Sequence, residues 1–269
     1  MGELVRVALK IAYDGRSFYG HQRQPVHRTV EGECLRALRA AGILRDPGEA
    51  SFRSASRTDR GVSAIGNVIG FESALAPRAA IGAFNDRARD VWAWAVAAVP
   101  EGFHPRHAVE RWYRYHLLDD LDLPRLEAAA REFVGTHDVR SFTSDPPTGP
   151  FSIARLDVAQ GDGMITVDVR ARSFRRGMVR RIVAALVAHA NEEASLLEIR
   201  RALAGERHDF GMAPAEPLVL MDVRHDVPFE AVLKPKVLDE WRRRSRAARL
   251  ETEWLAAFRA AALVPVNWP

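Results

Sequence analysis

The 269-residue chain has one cysteine, Cys34. A lone thiol cannot close an internal disulfide or build a Cys-based zinc site, so stability must come from a buried core, which a chain of this length can form. Lysine is nearly absent too. Of 39 basic residues only Lys10, Lys234 and Lys236 are lysines, and the rest are arginines. No apolar run reaches the roughly 18 to 20 residues that a membrane-spanning helix needs. The opening MGELVRVALK carries charges on both sides of a short apolar stretch and does not read as a signal peptide. A soluble cytoplasmic protein is the expectation. There is no Walker loop, no Rossmann glycine fingerprint ahead of a helix and no serine in a nucleophile elbow.

What is present is arginine. The formal net charge is only +4, yet the sequence pI is near 9.6. A coding bias that raises Arg and Ala together accounts for the total. Placement carries the functional information, because the planar guanidinium suits bidentate phosphate contact. Clusters sharing one face are an RNA or DNA footprint.

The periodicity predicts an α+β chain. Val5, Val7, Leu9, Ile11 and Tyr13 alternate with Arg6, Ala8, Lys10 and Ala12, giving a half-buried strand that ends at Asp14-Gly15. Thr29 is a candidate N-cap for a helix to about Ala41. GNVIGF reads as a short strand, PRAAIGAFNDRA as a helix and VWAWAVAAV as a strand. A second unit starts near Phe103. VERWYRYHLL alternates, with Val109, Arg111, Tyr113, Tyr115 and Leu117 on one face. LPRLEAAAREFVG is an amphipathic helix closed by Gly135. FSIARLDVAQGDGMITVDVRARSF reads as two strands joined through QGDG. RGMVRRIVAALVAHA is helical, and Ser195, Glu198 and Gly205 mark a capped helix. EPLVLMDVRHD is a strand, and an arginine-rich helix runs from about Val237 to Ala262. TSDPPTGP, Thr143 to Pro150, is a loop.

Three stretches are candidates for chemistry. In SASRTDRGVSAIG, Asp59 lies between Thr58 and Arg60, with Arg57 two places before it. It is either an N-cap or surface ion pair, or a carboxylate held for catalysis. The small neighbours, Gly61 and the strand that follows favour a rigidly anchored loop open to a second molecule. A nucleophilic carboxylate must be ionised, and guanidinium groups favour that form. In SFRRGMVRRIV, Arg175, Arg176, Arg180 and Arg181 straddle a strand-to-helix junction. Arg176 and Arg180 share a helix face if the helix starts early enough. These arginines form either a solvated basic face or phosphate contacts with one arginine turned inward to a carboxylate. In ERWYRYHLL, Tyr113 and Tyr115 are either core or a surface on which a nucleobase stacks. His104, His107 and Glu110 have a spacing that invites a metal, but Pro105 and the following alternation argue against one.

Taken together, seven segments resemble the TruA family of tRNA pseudouridine synthases. RTDRGVSA is similar to that family's RTDxGVHA box. AYDGRSFYGHQRQ, RTVEG, GFHPRHAVERWYRY, VGTHDVRSF, RSFRRGMVRRIV and MAPAEPLVL match its other segments in family order from Tyr13 to about Leu220. The resemblance implies two similar domains with mostly antiparallel sheets flanked by helices, residues 1–104 and 105–269, and an active-site cleft between them. It implies isomerisation of uridine to pseudouridine in the anticodon stem-loop of tRNA, around positions 38 to 40, with no cofactor and no metal, by a cytoplasmic homodimer. It makes Asp59 the catalytic aspartate, Tyr113 the residue that stacks on the target base and assists the late proton removal, and Arg180 the partner of Asp59. Arg57 becomes the arginine that replaces the flipped-out nucleotide, while Arg175, Arg176 and Arg181 are left to bind RNA. Three positions depart from the pattern: Ser63 stands where the family has histidine, Arg175 where leucine is common and Pro217 where glycine is frequent. Two other readings compete. One is a tRNA-binding protein without catalysis, and the other is a carboxylate glycosidase, which needs a second acid near Asp59.

Overall fold

The computed structural model describes residues 4–44, 51–146, 149–161 and 163–263. The chain divides into two units, Met1–Ala231 and Val232–Pro269. The first unit holds, in order, β1 (Val5–Tyr13), α1 (Val30–Ala40), β2 (Arg53–Ser54), β3 (Ser63–Ser73), α2 (Pro77–Arg87), β4 (Val91–Ala98), β5 (Glu110–Leu117), α3 (Leu123–Phe133), β6 (Gly135–His137), β7 (Phe151–Ile153), β8 (Arg155–Gly161), β9 (Met164–Ala171), α4 (Met178–Ala190), α5 (Leu196–Leu203), β10 (Leu218–Arg224) and β11 (Glu230–Ala231). The second holds α6 (Pro235–Leu263), the arginine-rich helix.

The α+β class with mostly antiparallel strands holds. One nine-stranded sheet runs β11-β4-β1-β3-β10-β5-β9-β8, with β2 beside the far end of β3. Its one parallel pair joins β10 to β3, Val219 opposite Ser63 and Leu220 opposite Ala64. Residue 104 falls in the connection from β4 to β5, and strands from both sides of it belong to this sheet. Helices α1 and α2 pack on each other and on β4, while α3 packs on α4, α5 and β8. Leu9, Ile11, Ile69, Phe71, Ile81 and Phe84 are fully buried between sheet and helices. Each such side chain contributes about 1.5–3 kcal/mol of apolar burial.

Local chemistry explains the helix ends. Thr29 caps α1 by accepting from the Gly32 N–H at 3.2 Å. Ser195 and Glu198 form a reciprocal capping box on α5, and Gly205 follows with φ +104°. Pro77 opens α2, where its missing N–H costs nothing.

Several expectations need correction. β1 is covered on both faces, because Arg6, Ala8 and Ala12 are buried along with the predicted face. Arg6 tolerates this by donating to the Ser51 carbonyl at 2.9 Å. Strand β3 is 11 residues long, not a short piece around GNVIGF. Burial of both faces along most of it erases the alternation that marks a strand. The run from Phe151 breaks at Ala154: β7 pairs with β6, and only β8 and β9 form the hairpin. Asp162 in its turn lies outside the described residues, as do Pro147 and Thr148 of the proline-rich loop. Gly135 does not cap α3. The helix ends on extended Val134, and Gly135 starts β6. Helix α4 begins at Met178, so Arg176 precedes it and shares no helix face with Arg180.

Candidate active site

Asp59 sits in the loop between β2 and β3, which the fold braces from below. The Thr58 hydroxyl lies 2.9 Å from the buried Tyr13 hydroxyl, to which Asn67 Nδ2 also donates at 3.2 Å. Asn67 is fully buried. It donates to the Ser56 carbonyl at 3.0 Å and accepts from the Ser56 N–H at 3.2 Å. Across the β3–β10–β5 junction, buried Arg111 reaches the same loop: its guanidinium donates to Ser56 Oγ at 3.0 Å, the Ala55 carbonyl at 3.1 Å and the Arg106 carbonyl at 3.0 Å, and also to the Arg172 carbonyl. The loop turns at Gly61, which has φ +88°, closed by the Val62 N–H donating to the Asp59 carbonyl at 3.2 Å. Gly15 presses against this turn so closely that a Cβ there would lie 2.2 Å from the Val62 carbonyl oxygen. Ser63, in the place of the family histidine, accepts from the Gly15 N–H at 3.0 Å.

A cavity of about 1020 Å³ opens over this loop. The structure brings Asp59, Tyr113 and Arg180 together on its wall. Arg180, in the first turn of α4, donates through Nη1 to Asp59 Oδ2 at 3.1 Å. Its Nε donates to the Ala213 carbonyl at 2.7 Å, so the fork is held at both ends. Asp59 keeps 37% of its side-chain surface exposed toward the cavity side of this pair, against 18% for Arg180. Tyr113 projects from β5 and is buried, with the Phe174 ring edge-on at 5.2 Å and 88°. Burial pushes its phenol up to about 12; the Arg111 cation and the Ser56 hydroxyl oppose the rise, and the Asp59 charge adds to it. A phenol held protonated in this way is a poor proton acceptor at neutral pH.

The arginines separate by role. Arg57 is exposed on the cavity wall with no hydrogen bond or ion pair among the described residues. Arg175 lines the cavity and donates to the Gly149 carbonyl at 3.1 Å. Arg176 lines it also, with its backbone N–H on Asp145 Oδ2 at 2.9 Å. Arg181 is not on the cavity wall. It pairs with Asp209 at 3.2 Å. Asp145 is the cavity's other carboxylate, and its engagement by Arg176 gives it a structural role in the loop. His104 and His107 lie with rings 5.1 Å apart, and among the described residues no three His, Cys, Asp or Glu side chains are grouped to hold a metal ion. Among the described residues no helix is long and apolar enough to cross a membrane.

Sequence reasoning missed the braces, Tyr13, Asn67 and Arg111, and missed His21. The His21 imidazole lines the cavity at 1% exposure, and neither ring nitrogen has a hydrogen-bond partner among the described residues. Desolvation, with the Arg57 cation adding to it, lowers His21 to about 4. An internal arginine on a strand was the one available signal for Arg111. For His21 there was none.

Residues 129–226 match the family model described as tRNA pseudouridine synthase. Over 264 residues the chain is 40% identical to the tRNA pseudouridine synthase A of Thermococcus sibiricus, covering 93% of this chain and 99% of that one. The Pyrococcus furiosus protein of the same name is 41% identical over 228 residues, 82% of this chain and 84% of its own. That of Methanococcoides burtonii is 38% identical over 235 residues, 85% and 86% of the two chains.

Proposed function

The chain belongs to the TruA family of tRNA pseudouridine synthases, isomerases acting on uridine in tRNA, and on that footing we propose that Asp59 is the carboxylate that drives the isomerisation. The observation that carries this reading is the Asp59–Arg180 pair at 3.1 Å, facing a cavity walled by Tyr113. In the reaction the C1′–N1 bond of uridine breaks, the base turns, and C1′ bonds to C5. The C5 proton leaves to solvent and N1 gains one, so atoms balance without a cofactor. Asp59 meets the electrophilic sugar or base carbon as a nucleophile and later departs. Arg180 aims it. Tyr113 offers its ring to the target base. The base must leave its stack for these contacts to form, and Arg57, exposed and with no ion pair among the described residues, fills the space it vacates. Arg175 and Arg176 contact the RNA backbone at the cavity wall, and Arg181 does so further out.

The substrate we propose is the anticodon stem-loop around positions 38 to 40, modified in the cytoplasm by a homodimer. The site also supports a functional division of the chain near residue 104. Asp59 comes from the N-terminal part, and Tyr113 and Arg180 come from the C-terminal part.

Tritium release from tRNA labelled at uridine C5 tests the assignment. Asp59→Ala is expected to abolish release while circular dichroism and most tRNA affinity are retained. Release at an undiminished rate refutes the role of Asp59. Salt-dependent binding by the wild-type protein without release would favour the non-catalytic tRNA-binding reading.

A further inference from the structure

Beside the catalytic loop lies a stack that the proposed chemistry does not use. The Tyr19 ring is parallel to His27, centroids 3.9 Å apart and 11° between planes. The Arg60 guanidinium carbon lies over the same ring, 4.0 Å from its centroid. All three side chains are exposed, Tyr19 at 41%. Tyr19 and Arg60 line the cavity that holds Asp59, and Arg60 is the next residue in the chain. Backbone contacts set the stack in place. The Tyr19 N–H donates to the Arg28 carbonyl at 2.9 Å, Gln24 Nε2 donates to the Tyr19 carbonyl at 2.9 Å, and the His21 N–H donates to the Thr58 carbonyl at 3.0 Å, tying the two loops together.

Arg60, like Arg57, makes no hydrogen bond or ion pair among the described residues, whereas the arginines between Tyr19 and Glu33 do. Arg28 pairs with Asp90 and Glu33, and Arg23 with Glu31. A guanidinium seated over a phenol ring, with its donors unspent, offers a planar cation and free hydrogen-bond donors together. That combination suits an unpaired nucleobase and its phosphate, since bases stack on aromatic rings and on arginine planes.

We infer that Tyr19, His27 and Arg60 form a stacking platform for the nucleobase next to the target uridine, held at the rim of the cavity while the target itself enters. The inference rests on the pseudouridine synthase reading and gives the site a second nucleotide position. It predicts that the planarity of Arg60 matters, not its charge alone.

The test uses the full-length protein, an unmodified tRNA transcript, and the same tRNA with one abasic nucleotide placed 5′ or 3′ of the uridine that the wild-type protein converts. Arg60→Lys keeps the charge and loses the plane. Stacking on one base supplies about 1–3 kcal/mol, so the dissociation constant is expected to rise roughly 5- to 150-fold. The slope of log affinity against log salt is expected to stay unchanged. Tyr19→Ala should behave alike. Wild-type protein should lose the same factor on one of the two abasic tRNAs, and Arg60→Lys should lose nothing more on that tRNA. Arg60→Lys binding as wild type, or losses that multiply on both abasic tRNAs, overturns the platform. Failure of the wild-type protein to convert any uridine overturns the underlying reading instead.

Discussion

Replacing His21 by phenylalanine should remove a distinct acid sensitivity. The imidazole is buried beside the Asp59 loop, and its two ring nitrogens have no partner among the described residues. Folding lowers it from an ordinary 6.5 to about 4, chiefly by desolvation and secondarily through Arg57. Between those values the unfolded chain binds a proton that the folded chain refuses. Stability is therefore full above about pH 6.5 and falls as the pH drops toward 4. At roughly 1.4 kcal/mol per tenfold difference in proton affinity the full loss is about 3 kcal/mol, most of it incurred by pH 4.5. His104 and His225, both lowered mainly by desolvation, fall in the same direction, but they are present in both proteins and cancel in the comparison. Thermal unfolding at pH 8 and pH 4.5 is the assay. The wild-type melting temperature should drop about 5–10 °C further than that of His21→Phe. At pH 8 the variant should equal or exceed the wild type, because it removes two unsatisfied buried polar atoms. A variant that loses as much stability as the wild type on acidification would show that the imidazole is reached by water or paired, and the burial argument would fail.

Two further outcomes follow from the same contacts. Arg180→Lys keeps a cation near Asp59 but cannot hold Asp59 and the Ala213 carbonyl with one rigid fork, so single-turnover conversion of tRNA should fall by about 10²-fold with melting changed little; conversion at the wild-type rate would mean that aiming Asp59 is not its task. Arg111→Met leaves the Ala55, Arg106 and Arg172 carbonyls and Ser56 Oγ without their shared donor, and denaturant titration should show a loss of about 3 kcal/mol, whereas a change under 1 kcal/mol would show that the loop keeps its shape without the brace.

Much of the fold was written in local pattern. The capping box at Ser195, the cap at Thr29 and the alternation of β5 each reflect an interaction within a few residues, and each stands where the sequence puts it. What pattern could not supply was anything decided by a distant neighbour. β1 looks half-buried because Arg6 and Lys10 are charged, yet Arg6 lies under Ser51 and Phe103, and Lys10 is paired with Asp222. The candidate site divides in the same way. Asp59, Tyr113 and Arg180 are named by motif, whereas the Asn67 and Arg111 contacts that fix the loop depend on partners 11 to 56 residues away. Arg60 shows the limit most plainly: in the sequence it is one more surface arginine, and only the placement of Tyr19 gives its guanidinium a face to lie on.

The single parallel pair in the sheet explains why the site lies where it does. Wherever strands pair antiparallel, a short turn can join neighbours and fill the end of the sheet. Strands β3 and β10 run side by side and are bridged over only two residue pairs, so no hairpin can close that junction. The chain must arrive at the start of β3 through the Asp59 loop and at the start of β10 through the segment that carries Ala213. These two approaches lie together above the sheet, and Arg180 is the residue that spans them, bonded to Asp59 on one side and to the Ala213 carbonyl on the other. An ion pair that also closes the gap between two incoming segments has a structural reason to stay fixed. That fixed geometry is what a carboxylate needs if it is to meet a flipped base in one orientation.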